Sequence, residues 1–190
     1  MGLREILTGK KALAKPAADR LFAISTAYVT LQTGLATTSI GRAAIVFQSL
    51  ATADFQAILA DTEDVVRATA ADSATSVRTS QDAYGFSWLI LNGDGFDDLV
   101  VGINAVSTAL EAGGYGERLL CAVFAFRAAD SSTLNFIYNY KRGSWYPFVP
   151  APGDKQRSTE RELQLKAQIG SELPIEPELE RWFPLWGVPF

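Results

Sequence analysis

Lys141 and Arg142 stand between rings: Tyr138 and Tyr140 precede them, Trp145, Tyr146 and Phe148 follow, and Gly143-Ser144 divides the two halves. Cations set among aromatics can stack on bases, hold phosphates, or line a ring-walled groove with charged edges for a helical partner. The tail repeats the theme in Arg181-Trp182-Phe183-Pro184-Leu185-Trp186-Gly187. From Phe136 onward the chain carries ten of its 21 aromatic residues, including three of its four tryptophans. Rings give much contact energy for little ordering entropy. Lys141, Arg142, Trp145, Tyr146, Trp182 and Trp186 are therefore the candidate binding residues. Residue types leave open whether these rings form a surface or a core.

Other candidate chemistries fail on spacing or context. Asn92-Gly93-Asp94-Gly95-Phe96-Asp97-Asp98 offers oxygens for calcium. Phe96 and Ile103 stand where an EF-hand loop needs acids, so a turn opening an acidic helix start is expected. Gly113-Gly114-Tyr115-Gly116 follows a helix and precedes a strand, the reverse of a phosphate cradle. Cys121 lies in an apolar strand between Leu120 and Ala122, the setting of an inert thiol. Glu160, Glu162, Glu172, Glu176, Glu178 and Glu180 could hide an acid–base pair. The nearer expectation is a solvated helix face with Glu162 and Lys166 as an i,i+4 pair.

Two absences narrow the field further. The chain has no histidine and a single cysteine, which excludes Ser-His-Asp and Cys-His mechanisms, an intrachain disulfide and a Cys-based zinc site. No catalytic residue, cofactor or metal is expected. Net charge is −4, unevenly spread. Residues 1–15 hold four basic residues against Glu5, while 16–150 hold eight basic against thirteen acidic. That acidic body argues against nucleic acid. No apolar run approaches the roughly 18–20 residues of a membrane span, and residues 1–15 lack a signal-peptide core. A cytoplasmic protein is expected, with the basic 1–15 segment a candidate for peripheral contact with the inner membrane face.

A chain of 190 residues fits this basic segment plus one domain over 16–190. Pro16 predicts a brief helix through Phe22, and Tyr28–Leu31 a strand. Ala43–Phe47 reads as a strand, and Thr52 caps a helix reaching about Ala68. Strands follow at Val77–Ser80 and Tyr84–Leu91, then a helix with Leu99, Ile103, Val106 and Leu110 on one side. Leu119–Phe126, Thr133–Tyr140 and Trp145–Phe148 read as successive strands. A charged helix is expected from Lys155 to Ile169, before an irregular tail. The order predicts an α+β two-layer sandwich over a mainly antiparallel sheet. Its first six elements suit a ferredoxin-like βαββαβ core followed by a strand pair and helix; a secretion-chaperone-like α+β layout is the alternative.

The same blocks carry a resemblance. Gln81-Asp82-Ala83-Tyr84-Gly85-Phe86-Ser87-Trp88, Asn104-Ala105-Val106, Leu119-Leu120-Cys121, Tyr138-Asn139-Tyr140-Lys141-Arg142-Gly143, Tyr146-Pro147-Phe148, Leu173-Pro174-Ile175-Glu176 and the Trp-rich tail are similar to the PspA-associated family PspAB. Met1-Gly2-Leu3 and Leu31-Gln32-Thr33 extend the match toward the start, while Asn139 and Trp145 depart from the family pattern. The resemblance implies a non-enzymatic accessory of the phage-shock membrane-stress system. Its partner would be PspA, a coiled-coil protein that coats stressed membranes, or another protein of that pathway. The alternative is a small-molecule sensor or enzyme with the aromatic C-terminal region as its pocket.

Overall fold

The computed structural model describes residues 18–69, 75–82 and 84–190; the expectations for 1–15 and for Pro16 lie outside them. The architecture is α+β. Helices α1 (Ala18–Leu35), α2 (Ala53–Thr69), α3 (Phe96–Ala112) and α4 (Thr159–Ile169) accompany an open, antiparallel six-stranded sheet. Its strands are β1 (Thr38–Phe47), β2 (Ser76–Gln81), β3 (Ser87–Asn92), β4 (Leu119–Arg127), β5 (Thr133–Asn139) and β6 (Ser144–Phe148). They lie in the order β2-β3-β1-β4-β5-β6. A short pair, β7 (Pro150–Ala151) with β8 (Gln156–Arg157), precedes α4.

Period-2 alternation divides the strand residues between two cores. Ile45, Leu89, Phe124, Phe136, Tyr138 and Trp145 face the four helices. Val46, Trp88, Val123, Ile137, Tyr146 and Phe148 face the other way and are covered by the C-terminal tail. Each fully buried side chain of this size contributes about 1.5–3 kcal/mol. Helix α3 can lie close on the sheet because residue 102 is glycine: a Cβ there would come 2.6 Å from a Leu91 methyl. Gly41 is required for a different reason. Its φ is +71°, and a Cβ would meet the Gly93 carbonyl oxygen at 2.7 Å, where β1 shifts register against β4.

Tyr28–Leu31, expected as a strand, is the third quarter of α1. Leu21, Ile24, Ala27 and Leu31 are buried at helical spacing, and Tyr28 packs on Phe96 with ring centroids 4.1 Å apart. The helix stops where Ala36 takes φ +46° and Thr37 N–H donates to the Leu31 carbonyl at 2.8 Å. β3 starts at Ser87 rather than Tyr84. The Asp82 carboxylate accepts from the Tyr84 and Phe86 backbone N–H groups and from the Trp88 indole, each within 3.1 Å, and so competes with ladder pairing. α4 begins four residues later than expected because Gln156 and Arg157 are taken by β8.

Candidate functional site

The Lys141-Arg142 turn joins β5 to β6. The Gly143 N–H donates to the Asn139 carbonyl at 2.8 Å, and the Lys141 N–H to the Asn139 side-chain oxygen at 3.0 Å. Arg20, near the start of α1, donates to the Gly143 carbonyl at 3.2 Å. Asn139 is thus a turn former.

Immediately after the turn, Trp145 and Tyr146 point to opposite faces of the sheet. Trp145 is completely buried among the helices, next to Phe124 and Tyr138. Its indole N–H donates to the Arg20 carbonyl at 2.7 Å. Tyr146 faces the tail, where its hydroxyl donates to the Phe183 carbonyl at 3.1 Å and its ring stacks on Trp182. The buried Trp182 indole donates to the Glu176 carbonyl at 3.0 Å, and the half-buried Trp186 meets Phe148 edge-on. A surface made of Trp145, Tyr146 and Trp182 is therefore corrected to core: the two ring-rich stretches pack on each other through β6. Only Lys141 and Arg142 of the six candidates are exposed.

The cation nearest the tail is engaged too. Arg142 lies 3.8 Å from the Glu176 carboxylate, which Arg181 approaches at 3.7 Å and the Ser144 hydroxyl at 3.0 Å. Glu176 is buried, and so is Glu162. The solvated Glu162–Lys166 pair expected from sequence is not formed. Glu162 instead sits 2.7 Å from Arg157 and accepts the Val149 N–H at 2.8 Å. Arg157 also donates to the Trp182 carbonyl at 2.6 Å. Lys166 lies over the Trp182 ring, 5.7 Å from its centroid. Nothing in the residue pattern separated these two glutamates from their exposed neighbours, because the arginines they meet come from outside α4. Both carboxylates are ion-paired and hydrogen-bonded, contacts that hold the tail down.

Cys121 lies half-buried in β4, where desolvation pushes its thiol up to about 12, away from the thiolate that reactivity requires. The native protein should leave the thiol unmodified by Ellman's reagent at pH 8, with one equivalent released in denaturant. Rapid stoichiometric release from native protein would contradict this placement. Burial likewise raises the phenols of Tyr138, Tyr140 and Tyr146, so these rings stay neutral core residues. Gly113 and Gly114 end α3 through N–H groups that donate to Ala109 and Glu111 carbonyls, as the helix-stop reading expects.

A different surface was invisible in the sequence. The outer sides of α2 and α3 leave a groove of ≈ 300 Å³ lined by Ile58, Asp61, Thr62, Val65, Ala105, Ala109 and Gly113. Val65 is 57% exposed and Val101, one turn before Ala105, 48%. On α3, helical periodicity marked only the inward stripe of Leu99, Ile103, Val106 and Leu110. Among the described residues no helix is long and apolar enough to cross a membrane.

No curated protein and no solved structure matches the chain. A family model does, over residues 1–190, and its description is PspA associated protein B.

Proposed function

The chain belongs to the PspA associated protein B family, and from that premise we propose that it is a non-enzymatic accessory of the PspA membrane-stress system. It works in the cytoplasm by direct contact with PspA. The observation that carries the reading is the family match along the whole chain. Packing supports contact over catalysis: the rings that would wall a C-terminal pocket are filled by one another and by their own tail. Glu162 and Glu176 are likewise held by arginines. Lys141 and Arg142 remain the exposed part of the contact surface expected from sequence.

Immobilised full-length protein is expected to retain purified PspA at moderate salt, with capture weakening as ionic strength rises. Retention no greater than on an unrelated acidic protein would end this reading. A specific thermal shift with a nucleotide, metal or lipid headgroup would favour the sensor alternative.

A further inference from the structure

We propose that the α2–α3 groove is a docking site for an amphipathic helix with basic flanks, supplied by the partner protein. With PspA as that partner, the inference rests on the function proposed above. Three observations converge on it.

The first is shape. Ala105 and Ala109 on α3 and its C-cap Gly113 recur every four residues, continuing the line of exposed Val101. Residues this small let an incoming helix approach closely, with Ile58 and Val65 forming the opposite wall. Apolar side chains left open along a groove mark interaction surfaces, and an amphipathic helix fills such a groove with anchors one turn apart.

The second is charge. The two helices carry seven acidic residues against one basic residue, Arg67, in a chain whose net charge is only −4. Asp61 lines the groove itself. Arg67 is already engaged, 3.2 Å from Glu63 and 3.5 Å from Asp64. Asp61 therefore places negative charge on the groove wall, complementary to lysine or arginine beside an apolar stripe and repulsive to an acidic helix.

The third is contrast with the β5–β6 turn. There, Arg142 faces Glu176 and the rings behind it are buried, so little apolar surface accompanies the exposed charge.

The test uses the full-length protein. Asp61→Lys and Ala109→Arg, each confirmed folded by circular dichroism, should weaken PspA binding about tenfold or more, whereas Lys155→Glu, on the exposed turn between β7 and β8, should change it less than about threefold. Wild-type affinity in both groove variants would overturn the inference, as would a loss confined to Lys155→Glu. A benzophenone carried on Ala105→Cys in a Cys121→Ala background identifies the occupant, since Cys121 is only half-buried. Cross-links should land on a PspA segment with basic residues flanking apolar ones at helical spacing. Cross-links to a second copy of the chain, or to its own residues 1–15, would overturn the assignment. Should wild-type protein fail to bind PspA, the association reading falls. A synthetic Leu/Lys amphipathic helix then decides the groove: cross-linking at position 105, abolished by Asp61→Lys, sustains it, and none refutes it.

Discussion

Trp145→Ala is expected to destabilise the fold by about 3–5 kcal/mol, the usual cost of emptying a large buried aromatic site. A domain of this kind has only about 5–15 kcal/mol in total, so the variant should approach unfolding at physiological temperature. The ring is fully buried, and its loss opens a void against Phe124 and Tyr138. The Arg20 carbonyl also loses the indole donor that tied the start of α1 to β6, adding about 1 kcal/mol. Chemical denaturation read by far-ultraviolet circular dichroism measures the change. Trp145→Phe should recover part of it, since a ring remains to fill the space. A drop below about 1 kcal/mol, together with lost PspA capture, would mean that the ring is a contact residue after all.

Removing one member of the Glu162–Arg157 pair should cost about 3–5 kcal/mol. Glu162→Ala strands the Arg157 guanidinium, which is only 22% exposed, and leaves the buried Val149 N–H without its acceptor. Because Arg157 also holds the Trp182 carbonyl, the damage should spread to the tail, seen as faster proteolysis beyond Glu176. The double substitution Glu162→Leu with Arg157→Met should cost less than either single change, since no charge is then left unpaired. Additive losses would show that the pair is not coupled and that each side chain acts through packing alone.

The fold was largely legible where apolar residues keep a regular spacing or run together. The stripe of Leu99, Ile103, Val106 and Leu110 in α3 was placed by its spacing, because periodicity reports burial on one side, and the strand around Trp88, buried on both faces, by its short apolar run. α1 escaped because its sequence lacks that contrast. Leu21, Ala27 and Leu31 are interleaved with uncharged Thr26, Val29 and Thr33, so no polar face advertises a helix, and the β-branched residues around Tyr28 suggest a strand. The site was half legible. The composition of residues 138–148 and 181–187 flagged both stretches, yet not that each is the other's partner. That pairing depends on the tail crossing the second sheet face, a contact between positions far apart in sequence. The α3 wall of the groove gave no signal, since small residues on an outward helix face look the same whether bare or covered.

That crossing sets the order in which the molecule can be finished. The tail starts beside one edge strand, where Ile175 bridges Trp145 of β6, and reaches the other, where Arg78 of β2 donates to the Pro189 carbonyl. During synthesis the sheet can assemble once β6 has emerged, but the apolar layer of Val46, Trp88, Ile90 and Val123 stays bare until residues 175–190 follow. The nascent chain thus passes through a stage with a formed but one-sided sheet, the kind of species that aggregates or recruits chaperones. Tail docking should consequently be a late step, slowed by closures as long as the 111 residues between Arg78 and Pro189.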